Sequence, residues 1–313
     1  MLARVRRTIE ERALLGRGAR VVVACSGGPD SAALLHVLGR LDGLDLRLSA
    51  ASVDHGLREG SAADVAVARA LAERLEVPFA ALAVDVGAGA SVQAQARAAR
   101  YEALRAHARD VGAHAIAVGH TLDDQAETVL SRLLRGAAVS GLSGIAPARA
   151  DGVVRPLIDC RREAVRAHVA RFDLPHVADP SNADRRFERV RLREALLPAL
   201  AEEDPNVAIH LAALADEARE IASWLDAEVT ERLGDLAGRT EITLGGAPPI
   251  RAQMLKRWLE RLIGRPAKRA HLEALRRDGE VLLPDGWIVR REGSTLRAVR
   301  SLARPTRSRR REE

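Results

Sequence analysis

The fold is set by one stretch of the sequence, VVVACSGGPDS at residues 21–31. Its first five residues are apolar and rich in valine, as expected of a buried strand, and Gly27 and Gly28 follow after one serine. Glycine lets a backbone come close to an oxyanion. A helix predicted over residues 31–41 directs free N–H groups and the positive end of its dipole toward the same place. The stretch therefore predicts a loop that cradles phosphate.

This loop differs from two common nucleotide-binding motifs. A Walker loop requires Gly-x-x-x-x-Gly-Lys-Ser/Thr, and no lysine stands here. A dinucleotide-binding turn requires Gly-x-Gly-x-x-Gly, which is also absent. The residues that we expect to form the nucleotide site are Ser26, Gly27, Gly28, Pro29, Asp30 and Ser31.

Strand-like and helix-like segments alternate on either side of this loop, up to about residue 134. The predicted strands are 20–25, 46–53, 79–84 and 115–118, and the predicted helices are 31–41, 61–75, 91–111 and 123–134. Such alternation predicts parallel βαβ units and a doubly wound α/β sheet. Ligands of such sheets bind beyond the carboxyl ends of the strands, which is where the phosphate loop falls.

Length and composition suit one to two domains, since the chain has 313 residues of which 47% are hydrophobic. We predict a nucleotide-binding domain over 1–202, a second, smaller and mostly helical domain over 203–302, and a basic, disordered tail over 303–313. No apolar run has the length of a membrane span, and the amino-terminal stretch lacks the features of a signal peptide. A cytoplasmic protein is therefore expected.

The charge balance favours a polyanionic partner. Lys+Arg number 49 against 43 Asp+Glu, a formal net charge of +6. All but two of these cations are arginine, which reflects either a GC-rich genome or recognition of phosphate. Aromatic residues make up only 2%, which argues against a base-stacking sheet. Cys25 and Cys160 form neither a CxxC pair nor a zinc set.

A second motif, GHTLDDQAET at residues 119–128, leaves a predicted strand and enters a helix. Asp123, Asp124 and Glu127 fall in its first turns. One interpretation is that they complement the helix dipole. The other is that, facing Asp30, they hold Mg²⁺ through oxygen ligands. His120 is either an ordinary hydrogen-bonded histidine or a group that binds phosphate and transfers protons.

Two further motifs are less specific on their own. DHGLR at residues 54–58 follows the second predicted strand and is either a glycine turn or part of the same site. The basic run at 179–193 is either a solvated face or a surface that follows a phosphate backbone. Its arginines are Arg185, Arg186, Arg189, Arg191 and Arg193.

In this order, these motifs resemble the tRNA(Ile)-lysidine synthetase family of PP-loop ATP pyrophosphatases. The resemblance also includes Arg135-Gly136, Gly141-Leu142 and Arg155-Pro156-Leu157, and it covers residues 20–200. It implies a fold like that of the adenine nucleotide alpha hydrolases, and a two-step ligase reaction. ATP adenylates the wobble cytidine of tRNA(Ile) with a CAU anticodon and releases pyrophosphate. Free L-lysine then displaces AMP to give lysidine, which switches decoding from AUG to AUA.

The resemblance also implies roles for particular residues. Catalysis is expected from Asp30, His120, Asp124 and Glu127, and Mg²⁺ binding from Asp30 and Asp124. The candidates for binding substrate lysine are Asp123, Asp124 and Glu127, and the residues expected either to bind tRNA or to stabilise phosphate charge are Arg135, Arg189 and Arg193. The second domain is expected to bind tRNA, with homodimer formation as the alternative.

Three other functions were weighed against this one. A tRNA thiolase making 2-thiocytidine has the same loop, but it commonly needs a cysteine pair or an iron–sulfur cluster, and this chain has two distant cysteines. Amidating relatives activate a small acid and need no basic RNA surface. A non-catalytic tRNA-binding protein would not need Asp30, Asp124 and Glu127.

Overall fold

The computed structural model describes residues 1–54, 61–84, 92–177, 186 and 188–301. The chain divides into two compact units, Met1–Arg219 and Glu220–Glu313. The domain boundary after residue 202 stays a prediction, and the predicted tail at 303–313 lies outside the described residues. Among the helices of the described ranges, none has the length and apolar character needed to cross a bilayer.

The first unit is built on a parallel sheet. Its strands are β1 (Arg20–Ala24), β2 (Arg47–Asp54), β3 (Phe79–Ala83), β4 (Ala115–Ala117) and β5 (Val153–Val154). They pair in the order β3-β2-β1-β4-β5, each pair parallel. The predicted doubly wound α/β class is confirmed.

Helices connect and cover these strands. They are α1 (Leu2–Glu11), α2 (Pro29–Leu38), α3 (Ser61–Arg74), α4 (Val92–Asp110), α5 (Leu122–Leu134), α6 (Val139–Leu142), α7 (Arg162–Arg171), α8 (Glu188–Arg191), α9 (Leu197–Glu203) and α10 (Val207–Leu233), with a π-helical segment at Leu192–Leu196. Helix α10 runs across the division between the two units.

The valines of β1 explain why helices lie on both faces of the sheet. Val21 and Val23 belong to a core that contains buried residues of α1, α2, α3 and α7. Val22, which points the other way, belongs to a second core with Tyr101 and Leu104 of α4. A central strand buried on both faces reads as a continuous apolar run, which is why the sequence predicted it.

The strand order places the site. The chain goes from β1 outward to β2 and β3, and then returns to the other side of β1 for β4. A crevice forms where the strand order reverses, between the carboxyl ends of β1 and β4. The phosphate loop, defined as residues 26–31, follows β1, and Gly119-His120 follows β4.

The second unit holds an antiparallel sheet as well as the predicted helices. Its elements are β6 (Glu241–Thr243), α11 (Pro248–Ile263), α12 (Arg269–Ala274), β7 (Gly279–Leu282), β8 (Trp287–Glu292) and β9 (Thr295–Arg300), with the sheet order β6-β9-β8-β7. Trp258 is buried in its core and donates its indole N–H to the carbonyl of Arg239 at 2.9 Å. Trp224, on α10, is 56% exposed.

Candidate active site at the carboxyl edge of the sheet

The phosphate loop depends on its first glycine. Gly27 has a φ of +78°, and a Cβ atom there would lie 2.8 Å from the carbonyl oxygen of Asp64. Gly28 is the N-cap of α2, and Pro29 begins the helix, where its missing N–H leaves no intrahelical hydrogen bond unmade. The amide of Val177 donates to the carbonyl of Gly27 at 2.8 Å and ties a distant segment to the loop.

Ser31 braces this loop from inside. Its buried hydroxyl accepts the backbone N–H of Ser26 at 3.1 Å and donates to the carbonyl of Gly28 at 2.9 Å. The Ser26 hydroxyl lies 3.4 Å from the hydroxyl oxygen of Ser31, and Ser26 itself is exposed. Of the two predicted phosphate-binding serines, Ser26 therefore faces solvent and Ser31 holds the loop in shape.

Asp30 has an unsatisfied oxygen in the first turn of α2. Its Oδ1 is buried and accepts no hydrogen bond from any described residue. Burial, together with the nearby charge of Asp124, raises the pKa of Asp30 to about 6. A buried carboxylate oxygen without a partner is destabilising unless a cation or donor meets it, so this atom is suited to a metal ion.

Asp124 is fixed first by its own helix. Thr121 and Asp124 form a capping box at the start of α5, in which Asp124 Oδ2 accepts the Thr121 N–H at 2.7 Å. The other carboxylate oxygen, Oδ1, accepts from the guanidinium groups of Arg162 and Arg189, each at 2.8 Å. Both oxygens of this predicted site residue are thus engaged.

Glu127 lies one turn further along α5 and is 1% exposed. Arg162 Nη1 and Arg193 Nε each lie 2.8 Å from its Oε1, and Arg189 Nε lies 2.7 Å from its Oε2. Asp124, Glu127, Arg162, Arg189 and Arg193 are called the arginine–carboxylate cluster below. The structure brings together four predicted site residues here: Asp124, Glu127, Arg189 and Arg193.

Electrostatics keep both carboxylates of the cluster ionised. Burial alone would raise the pKa of each, but Arg189 and Arg162 hold the pKa of Asp124 below its ordinary value. For Glu127 the hydrogen bond from Arg193 and the charge of Arg162 have the same effect on its pKa. Three guanidinium groups surround two carboxylates, so the cluster carries a net positive charge.

The contacts within the arginine–carboxylate cluster determine which predicted carboxylate has an oxygen available to Mg²⁺. No group of three His, Cys, Asp or Glu side chains forms a metal site within the described ranges. Asp124 has no unengaged oxygen, whereas Asp30 has one. Proteins often bind Mg²⁺ with one or two carboxylates plus substrate phosphates and water. Asp30 fits that role, and Asp124 fits it only if an arginine leaves.

His120, after β4, is a neutral hydrogen-bond donor. Burial lowers the pKa of its imidazole to about 4. Arg155 Nε donates to His120 Nδ1 at 3.3 Å, which leaves the ring hydrogen on Nε2 at neutral pH. Arg155 follows β5 and is itself 2% exposed. His120 therefore suits donation to a phosphate oxygen or base better than the binding of an anion by charge.

The remaining predicted site residues lie around the cluster. Asp123 Oδ2 accepts the backbone N–H of Arg162 at 2.6 Å, and its Oδ1 lies 3.5 Å from Arg161 Nε. Arg135 forms an exposed ion pair with Glu188, whose other oxygen accepts the Ser131 hydroxyl at 2.8 Å. These contacts position the start of α7 and the start of α8 against α5.

Arg162 and Arg155 are the residues that sequence reasoning missed. Arg162 follows Arg161 at the start of α7, and nothing in that local pattern indicated two buried carboxylate partners. Arg155 stood in a quoted motif without an assigned role. Of the other motifs, residues 55–58 and the residues of the basic run at 179–185 and 187 lie outside the described residues.

The chain is similar in sequence to a known family and to named relatives. Residues 2–200 match a family model described as a PP-loop domain. The chain is 39% identical to a tRNA(Ile)-lysidine synthase of Salinispora tropica over 312 residues, which covers 89% of this chain and 90% of the relative. A tRNA(Ile)-lysidine synthase of Methylobacterium nodulans is 41% identical, covering 83% of this chain and 81% of the relative.

Other relatives are longer. At 39% identity over 78% of this chain, the chain spans only 54% of the tRNA(Ile)-lysidine synthase of Solibacter usitatus. Among solved structures, the U34-tRNA thiolase NcsA from Methanococcus maripaludis has a TM-score of 0.60 and 17% identity, covering 70% of this chain and 78% of the thiolase. That likeness shows a shared fold.

Proposed function

This chain belongs to the tRNA(Ile)-lysidine synthase family of PP-loop proteins, and from that premise we propose that it converts the wobble cytidine of tRNA(Ile) with a CAU anticodon into lysidine. The observation that carries the proposal is the placement of the phosphate loop and the arginine–carboxylate cluster at one end of the sheet. The phosphate loop would activate a nucleotide, and the cluster holds two ionised carboxylates that would pair with a cationic nucleophile once an arginine leaves, as the two halves of the reaction require.

In the first half, the cytidine O2 attacks the α-phosphate of ATP and pyrophosphate leaves. The loop's backbone N–H groups and the amino-terminal end of α2 meet the charge that develops on the leaving group. When bound, Mg²⁺ would neutralise part of that charge, and Asp30 is the described carboxylate suited to hold it. His120 supports the same region as a neutral donor.

In the second half, the ε-amine of free L-lysine attacks C2 of the adenylated cytidine, AMP leaves, and the amine loses its proton. Asp124 and Glu127 are buried and ionised, so they are suited to pair with the lysine ammonium group in place of one of their arginines. Because arginines hold the pKa of both groups low, these carboxylates bind the cation better than they remove its proton. That lysine is the nucleophile is a more specific proposal than the family membership on which it rests.

The thiolase alternative is not favoured. Cys25 and Cys160 are free thiols, 2% and 3% exposed, and both pack in the core of the first unit. Burial raises the pKa of both thiols, which is unlike the thiolates that bind a cluster or transfer sulfur. That the second domain binds tRNA belongs to the proposal, with homodimer formation as its alternative; light scattering tests the alternative.

The proposal is tested by following lysine and pyrophosphate together. Two tRNA(Ile) transcripts that differ only in anticodon, CAU and GAU, are incubated with the protein, ATP, Mg²⁺ and radiolabelled lysine. We expect label in the RNA and pyrophosphate release with CAU alone. Pyrophosphate without RNA label would indicate a different nucleophile. Failure to release pyrophosphate with either tRNA would favour a non-catalytic tRNA-binding protein.

A further inference from the structure

The carboxylates that would receive the substrate's ammonium group already hold cations. Arg162, Arg189 and Arg193 place three positive charges around the two negative charges of Asp124 and Glu127. Adding the ammonium group would set four cations against two buried anions, and buried charge without a partner is strongly unfavourable. Binding of lysine at these carboxylates therefore requires one arginine to leave.

Solvent exposure and contacts single out Arg189. The side chains of Arg162 and Arg193 are 12% and 24% exposed, whereas Arg189 is 49% exposed over partners that are 9% and 1% exposed. Arg162 is held further because its backbone N–H donates to Asp123, and Arg193 forms a fork on Glu127 at 2.8 and 3.2 Å. Arg189 makes one hydrogen bond to each carboxylate and covers both.

A phosphate group is the ligand best able to draw Arg189 away. Guanidinium groups bind phosphate as well as carboxylate, in the same two-pronged geometry. Asp30 lies in the phosphate loop, and the charges of Asp124, Arg162 and Arg193 affect its pKa. A phosphate group bound at the loop would therefore interact electrostatically with the cluster. An arriving phosphate lowers the cluster's excess positive charge whichever arginine it engages.

We propose that Arg189 occupies the cation site between Asp124 and Glu127 until a substrate phosphate engages its guanidinium, so that lysine binds after the anionic substrates. This inference rests on the proposed function. In this proposal the guanidinium of Arg189 moves from the two carboxylates to a phosphate group, rather than making a single contact to tRNA. The phosphate comes either from the triphosphate of ATP or from the tRNA backbone, and a guanidinium group binds both in the same way.

The test measures the lysine Kd by calorimetry with the intact protein. Lysine is titrated into protein alone, with Mg²⁺ and α,β-methylene ATP, with the CAU transcript, and with both. We expect at least about tenfold tighter lysine binding when the effective phosphate is present. A gain with the nucleotide alone assigns the exchange to the triphosphate, and a gain with tRNA alone assigns it to the backbone.

Arg189→Gln separates the exchange from a general charge effect. This variant should bind lysine without any phosphate at least as tightly as the wild type does with it, and neither phosphate should tighten binding further. Arg7→Gln removes an exposed cation that lies 4.0 Å from Glu11 on α1, so it is the matched control and should keep the wild-type dependence.

Two results would overturn the inference while leaving the proposed function intact. One is a wild-type lysine Kd that agrees within about twofold in all four samples, although the protein forms lysidine. The other is an Arg189→Gln protein that retains the wild-type dependence on phosphate. If the wild type neither binds lysine nor forms lysidine in any sample, the proposed function fails, and the inference fails with it.

Discussion

A Cβ atom placed on Gly119 would lie 3.0 Å from both the carbonyl carbon and the carbonyl oxygen of Asp30. Gly119 follows β4, and Asp30 lies in the first turn of α2, so the ends of two neighbouring strands meet at the backbone of the phosphate loop. A side chain at position 119 would force the neighbouring backbone to give way by a few tenths of an ångström, which glycine avoids. The position of the loop thus depends on a residue from the second motif.

Gly119→Ala should therefore displace the start of α2 and misplace the phosphates. Because a shift of about 1 Å in a reacting group can lower a rate by about 100-fold and the displacement here is a few tenths of an ångström, we expect kcat/KM for ATP to fall by roughly 3- to 10-fold. Initial rates of pyrophosphate release with the CAU transcript measure this. Gly16→Ala is the control, since nothing lies within 4 Å of a Cβ there. Equal rates for both variants would contradict the account.

Asp30→Asn should separate catalysis from stability. The change keeps the side chain's shape but removes the charge that we assign to Mg²⁺, so pyrophosphate release should fall by at least about 100-fold. The buried Oδ1 has no hydrogen-bond partner among the described residues, so loss of the charge should not lower the melting temperature. Pyrophosphate release at the wild-type rate would show that Asp30 is not part of the site.

Arg162→Gln should destabilise the protein. Arg162 lies 2.8 Å from both Asp124 and Glu127. Arg189 and Arg193 would still pair with these carboxylates, so we expect a loss of about 1.5–3 kcal/mol, as for a hydrogen bond to a charged group. Urea unfolding measures this free energy. Arg7→Gln, which breaks only a surface pair, should cost at most about 1 kcal/mol. Equal free energies of unfolding for the two variants would show that Arg162 is not a structural part of the cluster.

A buried histidine pair should make the fold sensitive to acid. His36 Nδ1 on α2 lies 2.9 Å from His168 Nε2 on α7, and the Phe172 ring packs against both. Burial is the main cause of the lowered pKa values of both histidines, and the pKa of His36 falls to about 4. The charged groups that add to this effect on the two side chains are Arg40, Arg74, Arg171 and the amino terminus of Met1.

The sign of the effect follows from these lowered pKa values. The unfolded chain binds protons near pH 6.5 and the folded chain does not, so stability falls as pH drops from about 6.5 toward about 4. Each extra proton contributes a slope of about 1.4 kcal/mol per pH unit. Urea unfolding at several pH values measures the slope, and the double variant His36→Gln with His168→Gln should flatten it. An unchanged slope in that variant would place the acid sensitivity elsewhere.

Local patterns made the sheet and its loop predictable from the sequence. The valines of β1 show a strand buried on both faces, and a glycine pair before a helix indicates a phosphate cradle. Short elements escaped this approach: β6 has one buried residue, Ile242, and too little pattern to detect. The sequence predicts short strands at 281–283, 287–291 and 295–299, where β7, β8 and β9 lie, but not β6.

The arginine–carboxylate cluster was not predictable in the same way. Asp124 lies 38 positions from Arg162 and 65 from Arg189, so the contacts depend on how separate elements pack. Local sequence indicated only acids near a helix start, which is consistent with the observed capping box. The sequence therefore identified Asp124 and Glu127 as important but did not show that arginines already occupy them.

The most direct test of the central claim is nucleoside mass spectrometry of the modified tRNA. The CAU transcript is incubated with the protein, ATP, Mg²⁺ and uniformly carbon-13-labelled lysine, then digested to nucleosides. We predict a cytidine that has gained one labelled lysine less one water, at the wobble position and only when ATP is present. Unmodified wobble cytidine in a reaction that has released pyrophosphate from ATP would contradict the claim.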